Sequence, residues 1–365
     1  MQRKAVVAMS GGVDSSVAAA LLVEQGYDVT GVMLKLWRGE ALNNNSGCCN
    51  LGAAEDARRV ADVLGIPFYV LNFADHFEET VVRNFRDDYS AGRTPNPCVR
   101  CNQWIKFGTL LEKADALGAE VLATGHYARV REANGVYRLL RGVDPRKDQS
   151  YVLWMLTQRE LARCRFPVGE MEKSRTREIA AGLGLRTAAN PDSQEICFVR
   201  DGDVRGYLAE QVDTTTGAVV DETGRELGEH DGVVNFTVGQ RKGLGIALGV
   251  PVFVTAIDAH TNTVTVGPRS ALAVGGLITD ETSFTGEVPE PGTPVLVQHR
   301  AHGEVTPASI AIAADGRTEI VFGAPAEAVA PGQSAAIYSA REPDVLIGGG
   351  VIAETMAARE APAVA

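Results

Sequence analysis

Ala5-Val-Val-Ala8-Met9-Ser10-Gly11-Gly12-Val13-Asp14-Ser15-Ser16 decides the fold. Five apolar residues run into two glycines and three serines, and the chain then continues with the 3.6-residue period of a helix over 15–25. That is a strand, a turn and a helix N-terminus in direct succession. Glycines let the backbone approach an anion, while the helix start contributes free amides and the positive end of a dipole. Hydroxyls of Ser10, Ser15 and Ser16 add donors, so a phosphate group suits this turn. Asp14 opposes an anion unless a divalent cation bridges the two, which implies Mg2+ beside a bound nucleotide. The string matches neither G-x-x-x-x-G-K-[ST] nor G-x-G-x-x-G, and Gly243-Leu-Gly245 has no helix after it, so it reads as turn glycine.

Outward from this loop the pattern repeats. Strand-like runs at 5–9, 29–36, 68–73 and 121–124 alternate with helical periodicity at 15–25, 53–64, 77–89 and 105–117, predicting βα units and a doubly wound α/β parallel sheet. Past about 202 the texture changes to short β-branched segments punctuated by glycine and proline, and runs near 295–298, 308–313, 319–322 and 334–338 predict a C-terminal β-barrel. The expected divisions are a catalytic domain over 1–202, a small central domain over 203–278, the barrel over 279–356 and a mobile tail over 357–365.

A chain of 365 residues, 45% hydrophobic and 22% charged, has the composition of a globular multidomain protein. No run approaches the about 20 apolar residues of a membrane helix, and the N-terminal apolar run is too short for a signal peptide. A cytoplasmic protein without membrane contact is expected, with its six cysteines serving chemistry or metal binding rather than structural disulfides. The net charge of −11 excludes a generally cationic nucleic-acid coat. Charge is uneven, however: residues 83–147 hold twelve Lys or Arg against seven Asp or Glu, leaving room for a local basic face.

Cys98 and Cys101 stand three apart in the proline-braced stretch Arg93-Thr-Pro95-Asn-Pro97-Cys98-Val-Arg100-Cys101-Asn102, where nearby cations favour the reactive thiolate. Cys197 follows Asp192-Ser-Gln-Glu-Ile196. Cys48 and Cys49 are adjacent in an Asn- and Gly-rich stretch, and Cys164 reads as core packing. A structural zinc site lacks the further ligands it needs.

Ser-Gly-Gly-Val-Asp-Ser-Ser resembles the PP-loop of the ATP pyrophosphatase superfamily, with its adenine nucleotide α-hydrolase-like fold. That resemblance implies ATP held by Ala8, Met9, Ser10, Gly11, Gly12, Val13, Asp14 and Ser15, with Leu34 and Gly125 lining the adenosine pocket. With Gly92-Arg-Thr-Pro-Asn-Pro97, Cys101-Asn102, Ile105-Lys-Phe107, Ala123-Thr-Gly-His126-Tyr127, Lys147-Asp-Gln-Ser-Tyr151, Ile196-Cys197-Phe198, Thr237-Val-Gly-Gln-Arg-Lys-Gly-Leu-Gly245 and Pro331-Gly-Gln333-Ser-Ala335 in one order, the chain resembles the tRNA-specific 2-thiouridylase family over almost its whole length.

The resemblance implies adenylation of the C2 oxygen of a tRNA wobble uridine by ATP, then attack of sulfur on C2 with loss of AMP. It implies tRNA contacts from His126, Lys147, Asp148, Gln149, Arg300 and Gln333, helped by a cluster of Arg129, Arg131, Arg138, Arg141 and Arg146. Where many relatives carry an Asp three residues before the catalytic cysteine, this chain has Cys98, and where they carry an aromatic after the position of Arg300 it has Ala301. Three cysteines, Cys98, Cys101 and Cys197, match the ligand need of a [4Fe-4S] cluster with one open iron, and the favoured expectation is a cluster presenting hydrosulfide. The alternative is a Cys197 persulfide, delivered by a sulfur donor protein, with Cys101 as partner thiol and a Cys101–Cys197 disulfide as the end state. Other PP-loop activators, such as argininosuccinate, GMP or tRNA-lysidine synthetases, and an iron-sulfur RNA-binding sensor are the competing readings.

Overall fold

The computed structural model describes residues 2–37, 51–192, 196–212, 214–246 and 249–358. The Cys48–Cys49 pair, Ser193-Gln194-Glu195 and the tail from 359 lie outside them. In the first third, strand β1 (Lys4–Ala8) leads through the glycine-serine turn into helix α1 (Val13–Glu24) and β2 (Asp28–Lys35). Helix α2 (Leu51–Leu64) and β3 (Phe68–Asn72) complete the second unit. Helical stretches over 74–90 and 97–116 precede β4 (Val121–Ala123). A hairpin, β5 (Ala128–Ala133) and β6 (Val136–Arg141), then intervenes before β7 (Cys164–Arg165).

The order β3-β2-β1-β4-β7 is parallel throughout. β1 is therefore the strand from which the winding turns first one way and then the other. Ligands in such sheets gather at the carboxyl ends of the strands beside that switch point, which is where the Ser10–Ser16 turn lies. The two-residue strand period divides β1 between faces: Val6 packs with Val32, Leu34 and Leu122, and Ala5, Val7 and Met9 with Val17, Leu22 and Val121.

The central region is a four-stranded sheet of β8 (Gly217–Asp221), β9 (Glu226–His230), β10 (Phe253–Asp258) and β11 (Thr263–Gly267), ordered β10-β11-β8-β9. The helix Val204–Gln211 that precedes it buries Leu208 in the apolar cluster that also holds Val6, Val32 and Leu122, so it is packed with the first domain although it lies past the expected division at 202.

β12 (Ala273–Phe284), β13 (Pro294–Gln298), β14 (Thr306–Ile312), β15 (Thr318–Glu327), β16 (Ser334–Ser339) and β17 (Val345–Ala357) form the last region. β12 pairs with both β15 and β17, which closes the six strands into an antiparallel barrel around Leu277, Val295, Val297, Ile310, Ile320, Ile337 and Ile352. The expected division at 278 falls inside β12, because Val274 and Leu277 are already paired with barrel strands. β17 also pairs with β6, so the hairpin of the first domain extends the barrel sheet. No helix among the described residues is long and apolar enough to cross a membrane.

Candidate active site

The turn after β1 is tightly ordered by its own hydroxyls. Ser15 Oγ accepts from Ser10 N at 3.1 Å and donates to Gly12 O at 3.1 Å, and Ser16 Oγ donates to the same carbonyl at 2.8 Å. Gly125, just past β4, lies directly on the start of α1: a Cβ there would come within 2.6 Å of Ser15 N. Only glycine permits that approach. Met9 and Leu34 are buried and Ala8 is half-buried, which sets an apolar wall behind the loop.

The loop contains no lysine, and the cation comes from elsewhere. Lys173, at the start of the helix Lys173–Gly182, places Nζ at 2.7 and 2.8 Å from the two carboxylate oxygens of Asp14 and 2.8 Å from Asp192. Tyr127 Oη donates to Asp14 Oδ1 and accepts from Thr176 Oγ1, both at 2.9 Å. Asp192 also receives Lys147 at 2.6 Å and Arg177 at 2.8 Å. Its burial works against ionisation, but the bonds from Lys147 and Lys173 prevail and hold its pKa at about 2. The sequence reading offset the charge of Asp14 with Mg2+ alone; here the Lys173 ammonium meets it. Neither Lys173 nor Asp192 carries a local sequence signature, since each acts through partners more than a hundred or some tens of residues away.

Asn96 caps the helix that carries the first two thiols, accepting from the amides of Cys98 and Val99 at 3.1 and 3.3 Å, with Pro97 at its first position. This is the cap-plus-proline start that helices favour. The helix widens to π geometry from Cys101 to Thr109, a distortion common at functional sites. Cys98 is exposed, Cys101 buried and Cys197 half-buried. Cys101 and Leu34 belong to one contiguous apolar cluster, and Ala8 and Cys197 pack against it. Among the described residues no three His, Cys, Asp or Glu side chains stand together closely enough to hold a metal ion, so the arrangement gives the iron-sulfur expectation for Cys98, Cys101 and Cys197 no support. Cys98 faces solvent while Cys101, three residues on, turns into the core. Cys164 is fully buried, and burial pushes its thiol pKa up, in keeping with a packing role.

The residues expected at the tRNA interface all make contacts within the chain. His126 is buried, its Nδ1 2.6 Å from Thr124 Oγ1 and its ring against Phe107 and Phe166. Burial, aided by Lys106, holds its pKa well below the usual value. Asp148 accepts from Arg141 at 2.8 Å and from Gly142 N at 3.0 Å, and Gln149 Oε1 accepts from Tyr127 N at 2.9 Å. Arg300 donates to Glu327 O, and Gln333 Nε2 donates to Thr94 O at 2.8 Å. In the arginine cluster, Arg129 pairs with Asp344 at 3.0 Å and Arg138 with Glu342 at 2.9 Å. Arg131 and Arg146 are exposed.

An anion-binding turn at the switch point of a parallel sheet, with its cation supplied by a distant helix and two β-domains attached, defines a nucleotide-binding protein of the PP-loop, HUP-domain class. Family models agree: residues 3–201 match the tRNA methyl transferase HUP domain, 205–268 the tRNA methyl transferase PRC-barrel domain and 274–352 the aminomethyltransferase beta-barrel domain. The chain is 48% identical to the tRNA-specific 2-thiouridylase MnmA of Geotalea uraniireducens, covering 96% of this chain and 95% of that one. It is 50% identical to that of Mycolicibacterium smegmatis, over 92% and 95%, and 48% identical to that of Thermobifida fusca, over 100% and 99%. The chain belongs to the tRNA-specific 2-thiouridylase family.

Proposed function

We propose that this protein is an ATP-dependent tRNA-uridine 2-sulfurtransferase acting on the wobble uridine. The observation that carries the reading is the anion-binding turn at the switch point of the parallel sheet, in the same domain as Cys101 and Cys197. The reading brings a nucleotide on that turn and a sulfur nucleophile to one substrate atom. The C2 oxygen of the base attacks the α-phosphorus of ATP and pyrophosphate leaves. A carbonyl oxygen is a poor leaving group, and the adenylated oxygen departs as AMP.

For the sulfur step the reading is the persulfide route. The terminal sulfur of a Cys197 persulfide attacks C2 and AMP leaves. The Cys101 thiolate then attacks Cys197 Sγ, the sulfur–sulfur bond breaks, and the thiocarbonyl base departs with a Cys101–Cys197 disulfide left behind. A dithiol reductant and a sulfur donor protein reset the enzyme. The [4Fe-4S] alternative on Cys98, Cys101 and Cys197 draws no support from the arrangement of those thiols, and no step is assigned to it.

ATP is held by residues 8–15 with Leu34 and Gly125. Mg2+ fits as the companion of the triphosphate, because it takes most of its ligands from phosphate and water; Asp14 is the loop carboxylate that would hold it, and it would neutralise phosphate charge. Lys173 is the cation that accompanies the pyrophosphate. The target base leaves the anticodon stack to enter, as base-modifying enzymes require, and His126, Lys147, Asp148, Gln149, Arg300 and Gln333 are proposed to meet the RNA. The tRNA substrate carries with it a cytoplasmic location. The test is pyrophosphate release that depends on unmodified tRNA, together with mass analysis of the nucleoside. Release without sulfur in the base, or nitrogen in place of sulfur, would refute the assignment.

A further inference from the structure

The C-terminal barrel grips the cysteine-bearing segment 93–101 at both ends. At its start, Thr94 N donates to Pro331 O at 2.8 Å and Gln333 Nε2 donates to Thr94 O at 2.8 Å. Gly332 lies so close that a Cβ would stand 2.8 Å from Thr94 N. At the far end, Arg100 Nη1 and Nη2 donate to the two carboxylate oxygens of Glu281, each at 2.6 Å. Paired, bidentate bonds of this kind fix orientation as well as distance. The Arg100 side chain is only 8% exposed. Its guanidinium stacks 4.8 Å from the Trp104 ring and donates to Gln103 Oε1 at 3.0 Å.

Glu281 reaches Arg100 from a conformation that a glutamate rarely adopts. Its φ is +50°, in a bulge of β12 where the register against β17 slips between Asp280 and Ser283. Thr279 and Thr282 bond across the bulge at 2.8 Å between hydroxyl oxygens. Glycine or asparagine would occupy that left-handed position with less strain. Bulges re-aim side chains beside functional sites, and strain of this sort persists where the side chain's direction matters. Arg100, the recipient, is the residue immediately before Cys101.

We propose that Glu281 is a positioning residue for the sulfur-transfer step: through Arg100 it fixes the turn that carries Cys101 against the barrel. The proposal rests on the 2-thiouridylase reading above. A thiol must stand within about 3.5 Å of its target to react, and a misplacement of about 1 Å costs on the order of a hundredfold. Without the clamp, adenylation and attack by the Cys197 persulfide proceed while attack by Cys101 on Cys197 Sγ lags, and water instead displaces the persulfide from C2, which returns uridine and the Cys197 persulfide with AMP and pyrophosphate already spent.

The experiment compares full-length wild type, Glu281→Gly and Glu281→Gln with unmodified tRNA, ATP and persulfide-charged enzyme. It measures pyrophosphate released, thiolated base formed, the KM for ATP and the melting temperature. Glu281→Gly leaves the buried Arg100 without its carboxylate but relieves the strained φ, so its melting temperature is expected to fall by only about 5 °C. Its thiolated base per pyrophosphate should fall about tenfold or more, with the KM for ATP unchanged. Glu281→Gln, whose amide oxygen still accepts from Arg100, should fall in between. A Glu281→Gly enzyme that keeps the wild-type ratio overturns the proposal. So does an equal loss of both pyrophosphate and thiolated base, which marks a purely structural contact. Wild-type enzyme without tRNA-dependent pyrophosphate release overturns the underlying reading and the proposal with it, a result distinct from a variant that matches an active wild type.

Discussion

Replacing Lys173 by Met tests the charge logic of the phosphate corner. The ammonium is 10% exposed and touches Asp14 and Asp192, whose side chains are 30% and 20% exposed. Removing one partner of a buried ion pair costs about 3–5 kcal/mol. Asp192 keeps Lys147 and Arg177 and Asp14 keeps the Tyr127 hydroxyl, so about 2–3 kcal/mol is expected here, a melting shift of roughly 5–10 °C for the first domain. The effect on ATP is separate. A unit charge about 7 Å from a phosphate at an effective dielectric of about 20 is worth about 2 kcal/mol, so the KM for ATP should rise about thirtyfold. The assay is tRNA-dependent pyrophosphate release over an ATP series, alongside thermal melts. The double variant Asp14→Asn, Lys173→Met removes the orphaned carboxylate and should regain stability, with a coupling of about 1 kcal/mol or more in the mutant cycle. A Lys173→Met enzyme with unaltered melting and unaltered KM for ATP would refute the reasoning.

Gly125→Ala should abolish nucleotide binding, because its Cβ would press on Ser15 N at 2.6 Å; undiminished ATP binding by calorimetry would contradict the placement. Burial lowers the His299 pKa to about 4. The folded state therefore resists a proton that the unfolded chain accepts below about 6.5, and stability should fall as pH drops from about 6.5 towards 4. His299→Gln should flatten that limb of a melting-temperature profile. Asp192 works in the opposite sense: its depressed pKa, about 2, gives stability that is complete above the ordinary aspartate value and lost as pH falls towards 2. Cys98→Ser should retain thiolation while Cys101→Ser and Cys197→Ser lose it, as read by nucleoside mass analysis; equal loss in all three would return the cluster reading to the front. Arg131→Ala and Arg146→Ala should each weaken tRNA binding and reduce the steepness of its dependence on salt, measured by filter binding over a salt series.

Local pattern carried most of what the sequence revealed. The parallel sheet, the phosphate turn after β1 and the β-barrel were legible because each writes a period or a turn signal into neighbouring residues. The expected runs at 295–298, 308–313, 319–322 and 334–338 fall on β13 to β16. What escaped notice depends on distance along the chain. Lys173 meets Asp14 across 159 positions, and Arg100 meets Glu281 across 181; no window of sequence contains either pair. The iron-sulfur expectation shows the same limit from the other side. Three cysteines in one sequence say nothing of how deeply each is buried: Cys98 and Cys101, three apart on one helical stretch and so near one another on its surface, differ in that the first is exposed and the second buried.

The basic stretch over 83–147 illustrates how a surplus of charge in sequence is redistributed by folding. Its arginines looked like an RNA face on an acidic protein, yet Arg129 and Arg138 are engaged by Asp344 and Glu342, and Arg141 by Asp148 with its guanidinium 3.7 Å from the Tyr338 ring. The acids at 342 and 344 belong to the barrel region, whose strand β17 pairs with β6. A hairpin of the first domain and a strand of the last thus share a sheet, and the charges flanking that junction hold it in register. Cations committed in this way cannot release counterions from tRNA without giving up their partners. The phosphate-binding charge must come from cations outside the junction, because Arg100, Arg129 and Arg138 are paired with carboxylates of the barrel region.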